Sequence, residues 1–229
     1  IGSTTLTDGT HTATATATDA AGNTATDGNT FTVDASAPAV TIHSPAPGEA
    51  TNDTTPTITG STEPGATVRV VITDSTAAIV FDGPATVAPD GAWTATPGTA
   101  LPEGDLIVTA TATDGAGNSG SAAVAFTVDT TAPAAPAITG PADGSIVSDA
   151  TPTITGTGEP GATVVVTIDG RPVGGAVVDA DGTWGVPLPT PLGAGGHTVS
   201  ATQTDAAGNA SPQAVAVAFT VATVPSSPQ

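Results

Sequence analysis

Carboxylates are the residues of this chain with chemistry to offer. Twenty-one acidic side chains stand against two basic ones, Arg69 and Arg171, for a formal net charge of −19. Such an uncompensated set does one of two things. It keeps a surface solvated by mutual repulsion, or it ligates a divalent cation such as calcium, which takes carboxylate and amide oxygens together. The acids recur at fixed places. Asp114 and Asp205, like Asp19 before them, open an Asp-x-x-Gly-Asn run that ends at Asn118 and Asn209. Asp90 and Asp181 precede the glycine of an Asp-Gly-x-Trp run, Glu63 and Glu159 precede Pro-Gly, and Asp34 and Asp129 close a Phe-Thr-Val-Asp run. Each type also has a plain use without metal. Asp and Asn beside glycine close turns on their own backbone, Asp-Gly is an ordinary hairpin pair, and an exposed glutamate is a surface charge.

Other chemistries are poorly supplied. His11, His43 and His197 are the three histidines, and no two lie at a metal-ligand spacing. No serine sits in a nucleophile-elbow sequence, and without cysteine there is neither thiolate chemistry nor a disulfide. Two arginines cannot neutralise a run of phosphates, so nucleic acid is not the expected partner. The chain reads as no enzyme. Trp93 and Trp184 recur at one position of a repeat, which points to core rather than to sugar stacking.

The elements that would position these acids form an array. GTHTATATATDAAGNTATDGNTFTVDASAP opens the chain, GDLIVTATATDGAGNSGSAAVAFTVDTTAP stands in the middle, and GHTVSATQTDAAGNASPQAVAVAFTVATVP closes it. The copies are about 90 residues apart, the size of a small all-β domain. Aromatics are 3% of the chain, so each core is a thin one of Val, Ala and Ile, and Gly and Pro cluster between β-branched runs as turns require. Residues 1–36 hold two strands, too few to bury a core alone, and read as the closing hairpin of a truncated domain. Residues 37–131 and 132–224 each hold about seven short strands in the same order, a Greek-key β-sandwich of immunoglobulin-like type. TPTITGTGEPGATVVV in the second answers TPTITGSTEPGATVRV in the first, and a shorter hairpin is expected between the third and fifth strands of the second. Residues 225–229 read as linker. No apolar run reaches the length of a membrane span, and Ile1 opens no signal peptide, so any targeting signal is expected outside this sequence.

The succession DTTAP, TPTITGTGEPGATV, DGTW, TDAAGN and FTVD resembles the tandem bacterial Ig-like domains of large secreted surface proteins and adhesins. The resemblance implies an extracellular or cell-surface location, a rod-like array of neighbouring Ig-like domains, and a stalk or spacer role, often with calcium where domains meet. By the topology of such sandwiches, Asp129 is expected near Glu159, Asp181, Asp205 and Asn209 of the following unit, with Asp53 approaching from the unit before. Asp34 is likewise expected near Glu63, Asp90, Asp114 and Asn118. The place of Asp34 and Asp129 is taken by Ala222 in the last copy, so no third site of the kind is expected there.

Three readings follow. The leading one is a structural extender segment stiffened by calcium at its junctions. The second is an adhesive module whose loops or sheet edge bind a glycan or a host or cell-surface protein. The third is a fibre subunit that completes its partial first domain with strands from another chain. The threonine row Thr12, Thr14, Thr16 and Thr18 offers an ordered hydroxyl face to water or glycan, although β-propensity explains it without a ligand.

Overall fold

The computed structural model describes residues 5–222, so the expected linker at 225–229 lies outside the described residues. Alternating Thr, Ala and Val make strands throughout, and the described residues contain no helix. They form two compact units. The first takes in the chain up to Gly48 together with Thr55–Phe126, and the second takes in Glu49–Thr54 and the chain from Thr127 onward.

The chain opens with a hairpin of β1 (Gly9–Thr18) and β2 (Thr24–Val33), in unbroken register from Gly9 opposite Val33 to Thr18 opposite Thr24. There follow β3 (Val40–Ser44), β4 (Ala50–Thr51), β5 (Ile58–Thr62), β6 (Thr67–Asp74), β7 (Ile79–Pro84), β8 (Thr86–Val87), β9 (Ala92–Ala95), β10 (Gly104–Thr113) and β11 (Ser119–Val128). One sheet has the order β3-β5-β9-β8. The other has β11-β10-β6-β7, with β4 parallel to Thr127 and Val128 at the end of β11. Between the sheets lie Ile58 and Trp93 from one side and Val68, Val70, Ile72, Leu106, Val108, Ala110, Ala112 and Phe126 from the other, all buried.

Two details go beyond a simple count of strands. The turn-rich stretch around Ala50 contributes the short β4. The segment 79–87 divides between two sheets, β7 pairing with β6 and β8 with β9. The change of sheet falls at Pro84, which has no N–H to continue a ladder.

The second unit repeats the plan with β12 (Ala137–Gly140), β13 (Ser145–Val147), β14 (Thr153–Thr157), β15 (Thr163–Ile168), β16 (Arg171–Val177), β17 (Thr183–Pro187), β18 (Gly195–Thr204) and β19 (Val217–Val221). The sheets are β12-β14-β17 and β13-β19-β18-β15-β16. Ile154, Val164, Val166, Trp184, Val199 and Phe219 are the centre of its core. The shorter hairpin expected here is the two-residue turn Asp169-Gly170. Both residues have positive φ, 51° and 75°, as a turn matched to strand twist requires. The first unit spans the same reversal with the longer loop from Asp74 to Ala78, where the Asp74 carboxylate collects the Thr76 and Ala78 N–H groups.

One buried polar side chain distinguishes the last sandwich. Gln203 occupies the place of Ala112, and Gly158 the place of Thr62. The two changes go together, because a methyl on Gly158 would run into the Gln203 side chain. Gln203 then accepts from the Glu159 N–H at 3.0 Å and donates to the Ala134 carbonyl at 2.7 Å, tying the entering chain to the turn after β14. Burying an amide is tolerable only with such partners.

In each sandwich the indole lies flat against a glycine of the neighbouring strand. A methyl on Gly60 would overlap the Thr41 carbonyl oxygen and the Trp93 ring, and one on Gly156 would overlap the Ala137 carbonyl oxygen and the Trp184 ring. Backbone and a locked indole cannot both retreat, so Gly60→Ala and Gly156→Ala should each cost about 2–3 kcal/mol in urea unfolding. Gly98→Ala, whose added methyl meets nothing within 4 Å, serves as the control and should leave the midpoint unchanged.

Candidate functional site

The Asp-x-x-Gly-Asn runs fold as one turn three times. Asp and Asn supply short side chains that bond their own backbone, and glycine takes the positive φ the reversal demands, 90° at Gly22, 96° at Gly117 and 95° at Gly208. In the middle copy one Asp114 oxygen accepts from the Ala116 and Asn118 N–H groups, both at 2.9 Å, and the other accepts from the Asn118 amide at 2.8 Å. The first copy repeats this with Asp19 and Asn23, and the last with Asp205 and Asn209.

In the two later copies the same amide reaches a second acceptor far away in sequence. Asn118 donates to the main-chain carbonyl of Asp34 at 3.1 Å, and Asn209 donates to that of Asp129 at 2.8 Å. Each linker aspartate therefore lies against the turn of the sandwich that follows it, the juxtaposition expected from the topology, but contact is made through its carbonyl. Its carboxylate instead starts the linker, Asp34 accepting from the Ser36 N–H and Asp129 from the Thr131 N–H. In the first copy Asn23 bonds Asp19 and, among the described residues, no linker carbonyl.

The remaining acids are placed as follows. Asp53 follows Asn52, whose N–H donates to the Ala207 carbonyl at 3.0 Å, so its loop does meet the last Asp-x-x-Gly-Asn turn. Asp90 and Asp181 close their Asp-Gly turns on the N–H groups of Ala92 and Thr183. Those turns in turn lie beside the Glu63 and Glu159 segments, through Thr62 N–H to the Gly91 carbonyl and Gly158 N–H to the Gly182 carbonyl. Among the described residues no three His, Cys, Asp or Glu side chains come together as ligands of one ion. Calcium takes six to eight oxygens. The carboxylates of Asp34, Asp90, Asp114, Asp129, Asp181 and Asp205 each accept an N–H from their own turn or linker.

Electrostatics follow from these bonds. The Asn118 amide and several backbone N–H groups hold the Asp114 carboxyl below the usual range. At Asp205 burial pushes upward, but the Asn209 amide and three N–H groups together outweigh it and the net direction is down. Hydrogen bonds that exist only for the ionised form favour it.

Three positions escaped the sequence reading. Asp8 accepts from the Ala35 N–H at 2.9 Å and the Ser36 hydroxyl at 2.6 Å, holding the first linker against the start of β1. Gln203 holds the second linker as described. His197 is clamped between two acceptors, its Nδ1 facing Asp169 and its Nε2 facing the Gly193 carbonyl, both at 2.8 Å. Only the doubly protonated ring can donate to both. Gly193 first and then Asp169 raise its pKa, against a smaller opposing effect of burial. His197 recurs as His11 at the start of the opening hairpin, a repeat that could have marked it, whereas its partner Asp169 lies on a turn with no counterpart there.

Comparison with known proteins agrees with this architecture. A model described as "Bacterial Ig-like domain" matches residues 45–130, and one described as "Bacterial Ig domain" matches residues 132–220. No curated protein matches the chain. Among solved structures, a tetra-tandem repeat from the extending region of a large adhesion protein is 30% identical over 93% of this chain, with a TM-score of 0.38; the chain spans 57% of its length. The fibronectin(III)-like modules of Clostridium thermocellum CbhA are 20% identical over 80% of this chain and 94% of theirs, with a TM-score of 0.50, and share the fold. A structure from a 1.5-MDa bacterial ice-binding adhesin is 21% identical over 82% of this chain and 66% of its own, with a TM-score of 0.39.

Two pH dependences of opposite sign result. His197 has a raised folded pKa, so its contribution is full below the ordinary imidazole value and lost as pH rises through the raised one. The melting-temperature gap between the wild type and His197→Asn should shrink from about pH 5 to about pH 9. Asp205 has a lowered folded pKa, so its contribution is present above the ordinary carboxylate value and lost as pH falls through the lowered one. The gap between the wild type and Asp205→Ala should therefore close on acidification, as read by calorimetry.

Proposed function

We propose, for a chain that carries two bacterial Ig-like domains in tandem, the role of a structural extender: a spacer segment of a bacterial surface or secreted adhesin. The observation that carries this reading is the repeated junction bond, in which the turn asparagine of one sandwich captures the carbonyl of the linker that enters it. A spacer must limit bending at its joints, since a linker without such contacts leaves neighbouring domains free to swing. The Asn118 and Asn209 bonds, with Asp8 on the first linker and Gln203 on the second, supply that restraint from within the fold. An acidic surface with a net charge of −19 keeps such an array solvated and resists lateral association. The restraint in this proposal is a hydrogen bond and needs no cation.

The test is small-angle scattering and calorimetry on the 229-residue chain, with calcium and with chelator. An extended monomer is expected, with the same profile and the same melting temperature in both conditions. The double variant Asn118→Ala, Asn209→Ala should broaden the distribution of dimensions and lose about 1 kcal/mol for each bond removed. A compact particle, or a variant indistinguishable from wild type in scattering, would sink the spacer reading. A melting temperature that rises with calcium and loses that rise in Asp129→Asn would put a cation at the junction and displace the hydrogen-bond account of its stiffness.

A further inference from the structure

The hairpin β1–β2 is a copy of the last two strands of each complete sandwich, and it is folded the way they are. In the last sandwich His197 and Phe219 sit opposite each other with ring centroids 5.9 Å apart and planes tilted by 39°. In the hairpin His11 and Phe31 occupy the same register with the same 5.9 Å separation and a tilt of 33°. What differs is the cover. Phe219 is 2% exposed and the equivalent Phe126 1%, whereas Phe31 is 40% exposed. Leu101 ahead of β10 is 3% exposed, and its counterpart Leu6, at the same distance ahead of β1, is 51% exposed. Ala15 and Ala17 lie in the open where Ala110 and Ala112 are fully buried.

We infer that this face of β1–β2 is a domain-completing surface, which receives the preceding strands of an Ig-like sandwich belonging to the same polypeptide. The two complete copies say what fits there. The face of β10 and β11 is covered by residues such as Ile58 and Trp93, and that of β18 and β19 by Ile154 and Trp184. They also say where the cover comes from. In both copies the covering strands run immediately ahead of the hairpin in the same chain, reaching it through the segment that carries Leu101 or Leu192. Leu6 stands at that point ahead of β1. Two inner-face positions of β2 are polar, Asn29 and Asp27, and they replace Val124 and Ala122, which are only half-buried in the complete sandwich. The polar pair thus falls where the completed domain tolerates it. The inference holds whether or not the array serves as a spacer.

A graft decides it. A copy of residues 37–100 is fused directly ahead of Thr5, and hydrogen exchange is followed at residues 11–17 and 29–33 in the fused and unfused chains. In the fused chain these amides should slow by at least about tenfold, and calorimetry should gain a further cooperative transition. Phe31→Asp in the fused chain should abolish both gains while residues 37–222 keep their own protection. A second fusion, with residues 133–191, guards against a failure peculiar to one graft. If both grafts leave the hairpin exchanging as fast as in the unfused chain, the proposal is wrong. It is also wrong if the unfused chain proves to be a dimer with a protected hairpin, since a second copy would then be the occupant.

Discussion

Each sandwich depends on one close approach, an indole lying on a glycine. With aromatics at 3% of the chain, Trp93 and Trp184 are the largest groups their cores possess, and valines and alanines fill the space around them. The ring can reach the middle of the space between sheets only where the neighbouring strand carries no Cβ, at Gly60 and Gly156. Both indole N–H groups are buried without a partner among the described residues. An unpaired buried donor costs about 1–3 kcal/mol. The repetition of this arrangement in both sandwiches indicates that the apolar area of the ring outweighs that cost in a core otherwise built of small side chains.

Beside these thin cores, polar bonds hold each linker to the sandwich it enters. The Asp-x-x-Gly-Asn turn is self-contained: the aspartate satisfies the turn's own N–H groups and orients the asparagine amide. One amide hydrogen then remains to be directed outward at a linker carbonyl. The carboxylate accepts inside the turn and thereby orients the asparagine amide. The acidic balance of the chain acts on the surface as a whole, through solvation and repulsion.

The hairpin at the start of the chain shows how far this architecture is local. Its register, its His11–Phe31 pair and its Asp19 turn form without the rest of a sandwich around them. The alternation that places Phe31 and Ala15 on one face is a property of the strands. Burial of that face is not, and it requires the strands that Trp93 and Trp184 come from in the complete copies.

Much of this was legible in the residues. Period-two alternation, Asp-Gly and Pro-Gly turns and the threefold repeat indicated most of the strands and, through Val108 and Phe126, the core faces, because side-chain direction in a strand follows from sequence parity alone. Repetition also singled out the acids expected near the junctions. The atoms that meet there were decided only by the tertiary structure. An aspartate in a sequence offers a carboxylate, a carbonyl and an N–H without distinction. Only folding spent the carboxylates of Asp34 and Asp129 on their own linkers and turned their carbonyls toward Asn118 and Asn209. The bonds of Gln203 and His197 were invisible for the same reason: their partners, Ala134, Glu159, Gly193 and Asp169, are neighbours through the fold and carry no pattern that spacing could reveal.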